Sequence, residues 1–255
     1  MTMENSSKNE PGRLRSKLRD RREYVFLGLV TALGAILRIT LIVLDPTVSR
    51  DGIKYLSYAA GIADTVNEVT TFPPLFVWLI RFFHLFGFSW ELSGWLISLI
   101  SGILLIPIAR SIADRVTGNS AVGWAAALLT AVHPGLIHLS AEIQRGALFI
   151  MLEWLGIHYL LCTISRERIA DWIMLGILSA LATLTRFEGL ELVIMTAGVS
   201  IYLCFRRGWK YSGRGFASFA GALLACFLLA ALPEGAGRLK EIYLRRWTFV
   251  VKHWK

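Results

Sequence analysis

The residues of this chain that could do chemistry fall in three short stretches. Ser49-Arg50-Asp51-Gly52-Ile53-Lys54-Tyr55 sets one carboxylate beside two cations and a phenol. Glu142 and Arg145 stand three residues apart, a spacing that shares one helix face. Thr185-Arg186-Phe187-Glu188-Gly189 puts a guanidinium and a carboxylate into a link of scarcely any length. A carboxylate at a water–lipid boundary can accept the proton of an acceptor hydroxyl, while nearby Arg and Lys hold a departing phosphate. On that reading Asp51 is a general base. Plainer roles stay open: Asp51 as the start of a surface helix, Glu142–Arg145 as an ion pair closing a helix mouth, and Arg186 as a cation reaching for headgroups.

The elements that must position these groups follow from composition. The 255 residues are 55% hydrophobic and 18% charged, whereas soluble domains carry about a quarter charged residues. Mean hydropathy is +0.55, and the apolar residues form blocks approaching the roughly 20 needed to cross a bilayer. A soluble enzyme, a disordered chain and a collagen-like fibre are excluded. The expected fold is all-α and polytopic, with about seven transmembrane helices at 24–44, 90–109, 121–139, 146–164, 170–185, 189–205 and 215–232. Pro134 makes the third the least regular, because it tends to end the helix early.

Charge sets the orientation. Lys8, Arg13, Arg15, Lys17, Arg19, Arg21 and Arg22 precede the first block, which places a basic tail, 1–23, in the cytoplasm. The connections 110–120, 165–169 and 206–214 are short and basic-leaning, as expected of cytoplasmic loops of an inner (plasma) membrane protein. The segment 74–88 would rise only about 22 Å as a helix and carries Arg81 and His84. It reads as an interfacial helix within an outer loop, 45–89. All three chemical stretches then face outward, where ionisable groups at span ends are functional candidates by default. The tail 233–255 reads as a basic amphipathic helix, with Leu239, Ile242, Tyr243, Val250, Val251 and Trp254 at helical spacing. Arg38, inside the first span, is expected to reach the interface.

The net charge of +9 is topology information on this reading and implies no nucleic-acid partner. Cys162, Cys204 and Cys226 form no CxxC pair and read as small core residues. The five histidines show no metal-ligand spacing. A retinal lysine, a Walker loop, HExxH and GxSxG are all absent.

Four stretches together resemble the membrane module of the GT-C superfamily, in particular the family 39-like transferases that include protein O-mannosyltransferases and aminoarabinose transferases. They are Arg50-Asp51-Gly52-Ile53-Lys54-Tyr55, Phe72-Pro73-Pro74-Leu75-Phe76-Val77-Trp78, Leu85-Phe86-Gly87 and Leu184-Thr185-Arg186-Phe187-Glu188-Gly189. The resemblance runs over 24–232. It implies a polyprenyl-phosphate-linked sugar as donor, membrane lipid around the site, and Asp51 as catalytic base. Arg145 and Arg186 become the preferred phosphate contacts, Arg50, Lys54 and Arg81 the lesser ones, with Tyr55, Glu142 and Glu188 completing the substrate set. The implied reaction is inverting displacement at the anomeric carbon. Gly52 stands where many members of the group carry a second acid, so no metal or other cofactor is expected. The chain stops soon after the module, so acceptor recognition is expected to be reduced, supplied by a partner protein, or lost. The alternative is a truncated, non-catalytic module that binds lipid phosphates or scaffolds a partner transferase. A transporter would need a midplane pathway or an internal repeat, and neither is visible.

Overall fold

A computed structural model describes residues 10–62, 73–166 and 168–234, and among these every regular element is helical. In chain order the helices are α1 (Glu10–Leu44), α2 (Arg50–Ala59), α3 (Leu75–His84), α4 (Trp90–Thr117), α5 (Ser120–Val132), α6 (Pro134–Ala141), α7 (Arg145–Ser165), α8 (Ile169–Thr185), α9 (Leu190–Arg207) and α10 (Trp209–Glu234). A single 3-10 turn, Phe187–Gly189, joins α8 to α9. The protein is an all-α polytopic membrane protein.

Each of the seven expected spans coincides with an apolar helical element. Five are long and apolar enough to cross a bilayer alone: Arg21–Leu44, Trp90–Thr117, Arg145–Ser165, Phe187–Arg207 and Trp209–Ala231. The sixth is the pair α5 and α6, bent by 52°. The seventh, α8, has only 17 residues, about 25 Å of rise. Its Trp172, Leu175, Ala180 and Ala182 are fully buried. It packs against α7, α9 and α10, so its neighbours shield it from lipid and it can be short. The expected connections at 110–120 and 206–214 are tighter than the sequence suggests. Helix α4 continues to Thr117 and stops at Gly118, whose φ of 65° is left-handed. Helix α9 gives way to α10 at a single residue, Gly208, with φ of 90°. A glycine adopts these angles without the steric penalty a side chain would bring.

The bend between α5 and α6 has a chemical cause. Pro134 has no amide hydrogen, so the Thr130 carbonyl loses the donor that a continuous helix would supply. The Arg38 guanidinium takes that place: Nη2 donates to the Thr130 carbonyl at 3.2 Å, and Nη1 to the Ala131 carbonyl at 3.1 Å. Arg38 Nη1 also reaches the Gly34 carbonyl of its own helix at 2.9 Å. Arg38 is 0% exposed, which corrects the expectation that it reaches the interface. Carbonyls orphaned within the span hold the cation inside, since an unsatisfied backbone group in hydrocarbon is costly.

The helices alternate between two ends of the bundle. At the end opposite α2, Arg115 Nη1 donates to Ser165 Oγ at 3.3 Å and Arg207 Nη2 to the Ile164 carbonyl at 2.7 Å. Arg110 pairs with Glu23 at 2.9 Å and stacks 3.6 Å over the Trp124 ring. At the α2 end, one cluster of buried side chains draws together Tyr55 (α2), Phe76 and Ile80 (α3), Ile97 (α4), Phe149 and Leu152 (α7) and Leu178 (α8). Helix α3 has 10 residues, about 15 Å. Its Phe76, Val77 and Ile80 are buried. The basic N-terminal tail is helical from Glu10, while the amphipathic segment expected at 233–255 lies beyond the described residues from 235 onward.

Candidate active site

Helix α2 owes its start to Ser49, whose Oγ accepts from the Gly52 amide at 3.2 Å. With that cap filled by the serine, Asp51 sits in the first turn and is exposed. Gly52 faces the other way, pressed onto the link between α6 and α7. A Cβ at position 52 would lie 2.8 Å from Val48 Cγ1 and 3.1 Å from the Ile143 carbonyl oxygen. Ile143 is fully buried, and from its far side Gly94 of α4 closes in, its Cβ position 2.6 Å from Ile143 Cγ2. Two glycines thus clamp one isoleucine. The clamp fixes Asp51 beside the 142–145 link, and it leaves no room for the second acid that the resemblance would place at 52.

Glu142 ends α6 as its C-cap and contacts His138 Nδ1 at 3.4 Å. It also accepts a hydrogen bond from Gln144 Nε2. Gln144 is held in turn by α4, its carbonyl accepting from Ser98 Oγ at 3.1 Å. Arg145 opens α7 and sends Nη1 toward the Thr185 carbonyl at 3.5 Å. The start of α7 therefore meets the end of α8, one residue before Arg186.

Arg186 is the hub of the site. Its backbone is extended, at φ −147° and ψ 145°, and the following 3-10 turn brings Glu188 alongside. The guanidinium grips that carboxylate in a fork, Nη2 to Oε1 at 2.8 Å and Nε to Oε2 at 3.4 Å. It lies 5.3 Å from the centroid of the Phe149 ring, one turn beyond Arg145. The hydrogen bond to Glu188 raises its pKa above the usual guanidinium value, against the loss of hydration, with Tyr55 and Glu153 adding to the effect. Tyr55 is buried, meets Phe76 edge-on at 5.2 Å, and brings α2 within electrostatic reach of Arg186.

The structure thus gathers Tyr55, Arg145, Arg186 and Glu188 at one end of the bundle, with Asp51 one turn before Tyr55. Lys54 is half-buried on the same helix, and Arg50 is its exposed first residue. Arg81 is turned to another task. Its Nε donates to the Ala59 carbonyl at 3.1 Å and its Nη2 to the Tyr58 carbonyl at 3.0 Å, so it stitches α3 to the last turn of α2.

Sequence reasoning missed two acids. Glu153 of α7 lies within electrostatic reach of Glu191 of α9, of Arg186 and of Glu188. The signal was available for Glu153, an ionisable residue inside an apolar block, two turns after Arg145 on the same face. Two carboxylates, Glu188 and Glu153, therefore act on the Arg186 guanidinium, although among the described residues no His, Cys, Asp or Glu group forms a metal-ligand set.

Comparison with curated proteins finds no match. A family model does match, over residues 71–233. That stretch takes in Arg81, Glu142, Arg145, Arg186 and Glu188, and it begins after Arg50, Asp51, Lys54 and Tyr55. Covering more than half of a chain already seen to be a helical membrane bundle, the match shows that this protein belongs to the dolichyl-phosphate-mannose-protein mannosyltransferase family and is a membrane glycosyltransferase of the GT-C type.

Proposed function

We propose that the protein moves a sugar from a polyprenyl-phosphate donor to an acceptor hydroxyl at the α2 end of the bundle. That end is the outer face of the membrane, because the opposite end carries Arg110, Arg115, Arg166, Arg168, Arg206 and Arg207. Asp51 accepts the proton as the hydroxyl oxygen bonds to the anomeric carbon. The bond from that carbon to the phosphate oxygen breaks with its electron pair, and polyprenyl phosphate departs with inversion at carbon. Arg145 and Arg186 receive the phosphate, where preplaced cations stabilise charge as it develops. The observation that carries this reading is the meeting at Arg186 of α2, through Tyr55, with α7 and the α8–α9 link. A guanidinium has five donors, and Glu188 takes two of those on Arg186, leaving others for phosphate.

The test is Asp51→Asn in purified protein supplied with a polyprenyl-phosphate sugar. Transfer should fall by roughly 10²–10⁴-fold, the usual worth of a general base. Melting should not change, since Ser49 supplies the cap. Full activity of the variant would remove Asp51 from the mechanism. Donor binding by the wild type without turnover would favour the non-catalytic module that binds lipid phosphates.

A further inference from the structure

At the end of the bundle away from the site, α9 and α10 splay apart around Gly208 and leave a groove of about 520 Å³, within the range of small-molecule sites. Its walls are almost wholly apolar and include Ile201 and Phe205 of α9 and Trp209 and Phe216 of α10. Its rim is bare, with Phe205 86% and Trp209 78% exposed, an aromatic edge of the kind found at a membrane interface. Charge at the mouth has one sign. Arg206, Lys210 and Arg214 are exposed, and between Leu192 and Pro233 the sequence has no carboxylate. Lys210 and Arg214 are four residues apart, beside the stripe Trp209–Gly213–Ala217 that lines the groove. Arg207 is directed elsewhere, to the Ile164 carbonyl.

Two serines line this apolar space, and Ser212 Oγ donates to the Ser200 carbonyl at 2.6 Å. Ser200 lines the groove and is 7% exposed, and its hydroxyl has no partner among the described residues. It lies six residues from Arg206, about 9 Å along the helix axis. A cationic mouth above an apolar slot matches the phosphate and the acyl chain of a phospholipid in that order.

We propose that this groove holds one anionic phospholipid of the adjoining leaflet, its phosphate against Arg206, Lys210 and Arg214 and one chain between α9 and α10. The site is independent of the sugar-transfer site at the other end.

The test counts lipids retained by the purified protein in native mass spectrometry, after titration with phosphatidylglycerol or with phosphatidylcholine of the same chains. One phosphatidylglycerol should be kept under conditions that strip phosphatidylcholine. Lys210→Gln with Arg214→Gln should cut that retention roughly thirtyfold, the effect of losing two cations at about 1 kcal/mol each at the membrane surface. Gly213→Leu should abolish it by filling the groove, since a Cβ there meets only Trp209, at 3.6 Å. Ala217→Leu on the exposed rim repeats that arm if Gly213→Leu unfolds. Equal retention of the two lipids, or retention unchanged by both the charge and the filling variants, overturns the proposal. Displacement by inorganic phosphate would also overturn it, as it would show a phosphate site with no lipid specificity.

Discussion

Replacing Arg38 by Met should expose what the bend at Pro134 costs. In the wild type the guanidinium donates to the carbonyls of Thr130 and Ala131. The Gly34 carbonyl keeps its own helical donor, but the other two lose theirs, because residue 134 has no amide hydrogen and α5 ends at Val132. Two orphaned carbonyls at about 1–3 kcal/mol each give about 2–6 kcal/mol. The substitution also relieves the burial of an unpaired cation, which offsets part of that loss. The expected net cost is about 2–3 kcal/mol, a drop in Tm of roughly 4–12 °C for a chain of this size. Pro134→Ala is the second arm. It returns the amide that Thr130 lacks, so in the double variant a straight helix can satisfy both carbonyls without Arg38. The double variant should be at least about 1 kcal/mol more stable than the two single effects predict. Melting and detergent titration followed by tryptophan fluorescence would measure the cycle. Additivity within about 0.5 kcal/mol, or a cost for Arg38→Met below about 1 kcal/mol, would refute the account of the bend. Straightening 52° also re-aims the 142–145 link, so the stable double variant should transfer sugar poorly.

Arg186→Lys should keep the fold and lower transfer at least about tenfold, because an ammonium cannot fork onto Glu188 and offer planar donors to phosphate together; donor titration and initial rates would show it. Arg186→Met leaves Glu153 and Glu188 uncompensated and should destabilise by about 1 kcal/mol, a figure discounted for an Arg186 side chain 36% exposed; adding Glu153→Gln should recover part of the lost melting temperature. Gly52→Asp should lower stability by about 1–3 kcal/mol through collision with Val48 and the Ile143 carbonyl, and calorimetry with and without divalent cation should show no stabilisation by metal.

Span positions were legible because bilayer thickness imposes a length and a polarity that composition alone reveals. Even the weak point of the third span followed from one proline. The short α8 was found as well, though 17 residues fall below the usual span, because its apolar block is unbroken. Helix ends were less legible. Nothing in residues 110–117 distinguishes a cytoplasmic loop from a helix running past the membrane, since Arg110, Asp114 and Arg115 suit either; the ion pair of Arg110 with Glu23 decides it. The clamp of Gly52 and Gly94 on Ile143 joins three segments far apart in the chain, which no local spacing encodes.

The arginines show most clearly where a sequence reading of the site runs short. Arg38, Arg81, Arg145 and Arg207 were read as snorkelling, as phosphate contacts or as topology signals, yet each donates to the last carbonyls of a helix remote in sequence. Arg38 serves the end of α5, Arg81 the end of α2, Arg145 the end of α8 and Arg207 the end of α7. Carbonyls at a helix end lack internal donors and carry the negative end of the dipole, and near hydrocarbon water cannot always satisfy them. A guanidinium meets the need and keeps donors to spare. The roles are compatible: under the proposed function, an Arg145 held at Thr185 is a cation already fixed in place, so little ordering would remain to be done on phosphate binding. On the proposed reading Arg145, which closes α8 at the α2 end, is thus also part of the charged floor of the site. Capping and ligand binding cannot be separated there by charge alone. Lysine in place of Arg145 would keep the charge but lose the planar, multi-donor reach, so it should weaken both donor binding and the seating of α7 on α8.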